Sequence, residues 1–180
     1  MGIEIERKFL VKEVPKDYGQ SIMIAIEQGY LNVSPAIRVR RQGDQYFLTY
    51  KGEHTAEDGD DNRIGHTEYN LPLDAESYAH LLEKADGHII RKMRCILPLN
   101  EDAYDPDFLE QNAGVKARVN TGTIKIELDL FKPPHDGLVL AEVEFPSEEA
   151  AAAYKPASWF GKEVTNDPEY SNARLSMKGR

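Results

Sequence analysis

The chain has 180 residues, 22 basic and 31 acidic, for a formal net charge of −9. That length suffices for one domain with a sizeable core, and the acidic balance excludes a general nucleic-acid surface. A single cysteine, Cys95, rules out an internal disulfide and fits a reducing cytoplasm, and no apolar run approaches the roughly 20 residues that span a bilayer.

In chain order, residues 3–10 alternate apolar and charged side chains, the period of a strand with two different faces. Ile3, Ile5 and Phe9 lie on one face with Arg7, and Glu4, Glu6 and Lys8 form a row on the other. The N-terminus therefore reads as a charged strand, not a signal peptide. After a turn at Val14–Asp17, residues 21–32 form a second, β-branched strand that Ser34-Pro35 ends. Residues 36–42 and 45–52 make a hairpin about Gly43-Asp44, carrying Arg38, Arg40 and Lys51. Residues 53–66 read as an acidic hairpin loop. Asp58, Asp60 and Asn62 do not make it a calcium loop, because Arg63 stands where such a loop needs glycine and Tyr69 where it needs glutamate.

A fifth strand is expected over residues 67–71. A helix follows, capped by Asp74, with Tyr78, Leu81, Leu82 and Ala85 as its apolar stripe and Gly87 as its end. Residues 88–98 form a sixth strand with Lys92 and Arg94. Residues 99–122 read as a long loop, acidic over Asn100–Asp107, with a helical turn through Phe108-Leu109. Strands over 123–131 and 138–146 carry Glu127 with Asp129, and Glu142 with Glu144. A helix begins after Pro146-Ser147, and Trp159 and Phe160 anchor a final segment packed back on the body. Cys95 reads as a packing residue, and Arg7, Arg41 and Arg91 as surface residues.

The recurring feature is a doublet of like charges on one strand face: Glu4 and Glu6, Arg38 and Arg40, Lys92 and Arg94, Glu127 and Asp129, Glu142 and Glu144. Side chains two apart on a strand lie roughly 7 Å apart, so each doublet is unfavourable without a counter-charge. Faces of mixed sign satisfy one another if they point inward together. The expected fold is therefore α+β: a closed eight-stranded antiparallel β-barrel with a polar lumen and helices packed on the outside, all within one domain, residues 1–180. A lumen of that kind needs water, metal and an anionic ligand in it.

Glu4-Ile-Glu6-Arg-Lys8 resembles the Glu-x-Glu-x-Lys signature of the CYTH superfamily, the triphosphate tunnel metalloenzymes. The resemblance continues through Gln28–Leu31, Ile37–Arg40, Leu48–Lys51, Lys92–Arg94, Glu127–Phe131, Gly137–Glu144, Glu163–Thr165 and Tyr170–Asn172, so it covers essentially the whole chain. It implies a tunnel that binds a triphosphate-containing small molecule with Mg²⁺ or Mn²⁺ and hydrolyses it. Lys8, Arg38, Arg40, Lys51, Lys92 and Arg94 are then the substrate-binding candidates, and Glu4, Glu6, Asp129, Glu142 and Glu144 the metal ligands. Glu4, Glu6 and Lys8 are the catalytic candidates. Glu68, Glu127, Tyr30 and Lys162 are further lumen candidates; a salt-bridge role competes for Glu68 and a hydrogen-bonded structural role for Tyr30.

The fifth strand departs from the family's Arg-x-Glu-x-Glu pattern, with His66 in the arginine slot and Asn70 in the second acid slot, and Lys125 adds an unexpected charge beside Glu127. Two other functions use the same residues: an adenylyl cyclase of the class IV type, and a non-catalytic polyphosphate-binding domain. No nucleic-acid or membrane partner is expected, and a homodimer is left open.

Overall fold

The computed structural model describes residues 2–53 and 66–178. In order, these form β1 (Gly2–Val11), β2 (Ile22–Val33), β3 (Ala36–Gln42), β4 (Gln45–Glu53), β5 (His66–Leu73), α1 (Ala75–Leu82), β6 (Asp86–Leu97), α2 (Pro106–Gln111), α3 (Ala113–Asn120), β7 (Ile126–Phe131), β8 (Val139–Phe145), α4 (Glu148–Ala153), β9 (Phe160–Glu163) and α5 (Asn172–Met177). Among the described residues no helix is long and apolar enough to cross a membrane. The sequence readings of Asp58, Asp60, Asn62 and Arg63 fall outside the described residues.

The expectation of a closed eight-stranded barrel is corrected. The strands make one antiparallel sheet of nine, in the order β5-β4-β3-β2-β6-β7-β8-β1-β9. One edge of β1 pairs with β8 from Ile5 to Leu10. Its other edge is divided: among the described residues β5 meets it at Gly2, Ile3 and Glu4, and β9 takes it from Phe9 to Val11. A short seam at one end of β1 replaces the full-length return of a barrel. A ninth strand, β9, takes the far end of the same backbone edge, and the sequence carries no local sign of it.

Register puts the charged doublets on one face of the sheet. Glu6 lies opposite Glu144 and Lys8 opposite Glu142, Arg94 opposite Asp129, Arg38 opposite Thr49, and Lys51 opposite Glu68. The reverse face is apolar over β7 and β8, where helices cover it, while Met23, Tyr69 and Leu71 stay exposed on it elsewhere. Ile126, Leu128, Ala141, Val143 and Phe145 of β7 and β8 pack with Phe9, with Val115 of α3, and with Ala150 and Tyr154 at α4. Each such large side chain removed from water contributes on the order of 1.5–3 kcal/mol.

The segment read as a long loop, residues 99–122, holds α2 and α3. Pro106 opens α2, where a missing N–H costs nothing. Phe108, Leu109 and Val115 dock on the core, and so sparse an apolar pattern gave no helical period to read. On the other side α1 lies against β2, β3 and β4. Asp74 caps it by accepting from the Ser77 amide at 2.7 Å. Gly29 permits the close approach there, since a Cβ at that position would sit 2.6 Å from Ala85 Cβ and 2.8 Å from Leu82 Cδ1.

The charged face does not run from end to end. Two residues along the same face from Lys8, Lys92, Asp129 and Glu142 stand Leu10, Ile90, Phe131 and Leu140, respectively. Ile90, Phe131 and Leu140 pack with Val164 after β9 and Leu175 of α5 into a second apolar cluster, against which Leu10 is packed. The C-terminal segment thus closes one end of the concave face with an apolar floor and leaves the charged end open.

Candidate active site

Above that floor the concave face encloses a cavity of about 710 Å³. Its cationic wall is Lys8, Arg38, Arg40, Lys51 and Arg94; its acidic wall is Glu4, Glu6, Glu68, Glu127, Glu142 and Glu144. Tyr30 lines it as well. Strand alternation delivers every one of these side chains, because a two-residue period on a pleated strand keeps Glu4, Glu6 and Lys8 on one side.

Most of the charges are paired. Lys51 Nζ donates to Glu4 Oε2 at 2.7 Å. Lys8 Nζ stands 3.1 Å from Glu142 Oε1 and 3.5 Å from Glu6 Oε1. Burial works against the charge of Lys8, and Glu142 and Glu6 more than offset it, holding its pKa above the usual lysine range. Glu142 is the reciprocal case: burial opposes its charge, but Lys8, Lys92 and Arg94 hold its carboxyl well below the ordinary value. Arg94 Nη2 donates to Glu142 Oε2 at 2.7 Å and to Asp129 Oδ2 at 2.6 Å, and Arg94 Nη1 also pairs with Glu127.

Two cations are under-satisfied. Arg40 donates to Gln28 Oε1 at 3.0 Å, and among the described residues no carboxylate lies within ion-pair distance of it. Burial, and then the neighbouring Arg38 and Arg94 guanidinium groups, bring its pKa down to about 10. Arg38 reaches Glu68 only at 3.5 Å, and its Nε is buried with no hydrogen-bond partner among the described residues. Three guanidinium groups around one volume, one of them without a counter-ion, form a binding surface for a multiply charged anion.

One acid is under-satisfied in the opposite sense. Burial raises the Glu144 pKa, and the like charges of Glu4, Glu127, Glu6 and Glu68 add to the shift. Among the described residues no three His, Cys, Asp or Glu side chains are gathered round a single point that would hold a metal. The available donors are all carboxylate oxygens, the chemistry of a hard cation such as Mg²⁺ or Mn²⁺.

The remaining candidates lie elsewhere. Asp129 and Lys92 do not line the cavity; they form a buried ion pair behind it, Asp129 fully buried and Lys92 2% exposed. Lys162 is a surface side chain, 4.0 Å from Asp167. Asn70, in the slot of the missing acid, accepts from Thr49 Oγ1 at 2.7 Å and donates to Glu68 Oε1 at 2.8 Å, so it orients that carboxylate toward Arg38. Lys125 stands 3.9 Å from Glu127, beside the cavity. Thr165, Asn166, Asp167, Ser171 and Asn172 also line the cavity and were not singled out from the sequence as site residues. The short runs Glu163–Thr165 and Tyr170–Asn172 are a sequence signal for Thr165, Ser171 and Asn172, and Asn166 and Asp167 have none.

Known proteins share this arrangement of sequence and fold. The inorganic triphosphatase of Nitrosomonas europaea is 33% identical over 177 residues, covering 97% of this chain and 97% of that protein. The inorganic triphosphatase of Acetivibrio thermocellus is 31% identical over 179 residues, covering 97% of this chain and 94% of that protein. A crystal structure of an inorganic triphosphatase aligns with a TM-score of 0.60 at 33% identity, covering 98% of this chain and 96% of that one. The CYTH domain model matches residues 2–153. By sequence match over most of its length, the chain belongs to the CYTH domain family.

Proposed function

We propose that the protein hydrolyses the terminal phosphoanhydride of a triphosphate, inorganic tripolyphosphate first among the substrates, with a divalent cation. The observation that carries this reading is Arg40, a cavity guanidinium pressed by Arg38 and Arg94 and without a carboxylate of its own among the described residues. An anion with several negative charges supplies what that cluster lacks. The two triphosphatase relatives support the substrate class.

In this reading Arg38, Arg40 and Arg94 grip phosphoryl oxygens, and Lys8 and Lys51 meet the same anion by loosening their contacts with Glu142 and Glu4. Glu4, Glu6 and Glu144 are the carboxylates that would hold the cation, oxygen donors of the kind Mg²⁺ takes. When bound, such a cation would offset charge on the phosphoryl group and lower the pKa of a water. The water oxygen forms a bond to the terminal phosphorus, the bridging P–O bond breaks, and its electron pair leaves with diphosphate. A carboxylate of the Glu4 and Glu6 pair takes the proton of the attacking water. Asp129 and Lys92 act from behind, fixing Arg94.

The test offers tripolyphosphate, ATP and thiamine triphosphate to the protein with Mg²⁺ or Mn²⁺, and measures phosphate and cyclic AMP separately. Phosphate release with tripolyphosphate preferred is the expected result. Cyclic AMP as the main product overturns the reading in favour of a cyclase, and tight binding without turnover overturns it in favour of a binding domain.

A further inference from the structure

Arg7 points away from the cavity, on the face of β1 opposite Lys8, yet its guanidinium is fully engaged. Its Nε and Nη2 donate to the two oxygens of Glu163 at 2.9 and 2.7 Å. Its Nη1 donates to the carbonyls of Ala151 and Tyr154, at 3.0 and 3.1 Å, at the end of α4. The group also stands 5.2 Å from the centre of the Phe9 ring. A guanidinium held at both forks and over a ring is fixed in orientation, and so is the carboxylate it grips.

That carboxylate leads back to the cavity. Glu163 Oε1 accepts the Thr165 hydroxyl at 2.8 Å, and Thr165 Oγ1 accepts the backbone N–H of Lys8 at 3.1 Å. The Val164 amide donates to the Lys8 carbonyl at 2.8 Å. The grip falls on the stretch of the β1 edge that neither β5 nor β9 occupies. Here both backbone groups of Lys8, a cavity cation, are satisfied by the strap that follows β9. The same strap continues into Asn166, Asp167, Ser171 and Asn172, which form one wall of the cavity.

We infer that Arg7, through Glu163 and Thr165, is a positioning residue for the reaction: it sets the backbone of Lys8 and the strap wall from outside the cavity. The inference rests on the proposed function for its kinetic consequence, though not for its structural one. A peptide N–H whose only acceptor is a side-chain hydroxyl is left unpaired when that hydroxyl is removed. Thr165→Val removes the hydroxyl at nearly constant shape, and Thr165→Ser retains it. Arg7→Lys keeps the charge and loses the fork.

The experiment is hydrogen exchange at the Lys8 amide, followed in the intact chain together with tripolyphosphate turnover and melting temperature. T165V is expected to speed exchange at Lys8 by roughly tenfold or more, and T165S to recover most of the protection. R7K speeds the same amide, and the double variant R7K/T165V adds little to T165V alone, because both act on one chain of contacts. Turnover follows the same order, and in a Lys8→Ala background T165V has little further effect on it. Unchanged exchange at Lys8 in T165V overturns the inference. So do fully additive losses of turnover, which describe general loosening of the fold. If the protein turns over no triphosphate but the exchange pattern holds, the proposed function fails and the coupling stands.

Discussion

Asp129 is the residue whose substitution separates a structural acid from a metal ligand. Asp129→Asn keeps the shape and removes the charge that faces Lys92 and Arg94. Deleting one partner of a buried ion pair costs about 3–5 kcal/mol. Arg94 retains Glu127 and Glu142, so the uncompensated charge is that of Lys92. Burial already pulls the Lys92 pKa down to about 8 against the pull of Asp129, and losing Asp129 lowers it further. Lys92 can then shed its proton near neutral pH, which limits the loss to about 3 kcal/mol. At about 2–4 °C per kcal/mol for a chain of this size, the melting temperature falls by roughly 6–12 °C. The sign with pH follows from the lowered lysine. Between its folded and unfolded pKa values the unfolded chain holds the extra proton, so stability rises with pH across that window. D129N should therefore melt closest to the wild type in the alkaline part of a pH 6–9 series. Thermal denaturation across that series, with and without Mg²⁺, is the assay. An unchanged melting temperature together with a higher Mg²⁺ requirement for turnover would refute the reasoning and make Asp129 a ligand.

Other perturbations test other parts of the site. Arg40→Ala should weaken metal-free tripolyphosphate binding by roughly 10- to 100-fold in calorimetric titration, the loss of one charge-assisted contact; an unchanged affinity would remove the observation on which the proposed function rests. Glu144→Gln concerns a carboxyl whose folded pKa is raised, so the folded state holds the extra proton and stability falls as pH rises through that window. The variant should melt above the wild type at neutral pH without metal, and the difference should vanish below the ordinary carboxyl range. Gly87 has φ +74, and a Cβ there would stand 2.3 Å from the Ser176 carbonyl oxygen in α5. Gly87→Ala should cost at least about 1–3 kcal/mol in denaturant melts by straining the backbone and unseating α5; a variant as stable as the wild type would show that α5 is not held there. Saturating tripolyphosphate with Mg²⁺ should raise the melting temperature of the wild type by mass action and that of R40A by less.

The doublets were legible because strand alternation is a local property. Once Glu4-Ile-Glu6 and Arg38-Val39-Arg40 are recognised as strands, their charged side chains must share a face whatever the partner strands do. The pairings are not local. Neither Asn70 bridging Thr49 to Glu68 nor Arg7 reaching Glu163 across 156 positions has any sequence period. Arg7 read as a surface residue because its neighbours Glu6 and Lys8 point the other way; the carbonyls that receive it come from the end of a helix distant in sequence.

By itself the sequence determined the β-rich character, which strand faces are charged, the apolar reverse face of β7 and β8, and the resemblance to the CYTH superfamily. Only the tertiary structure decided how the edges of β1 are shared. It also decided that Asp129 and Lys92 lie behind the cavity, that an apolar floor of Ile90, Phe131, Leu140, Val164 and Leu175 closes one end, and that the C-terminal strap forms a wall. The physical reason is one of range. Alternation follows from the chirality and pleat of each strand, whereas depth, closure and counter-ion choice depend on which distant backbone edge is free and which distant side chain arrives there first in space.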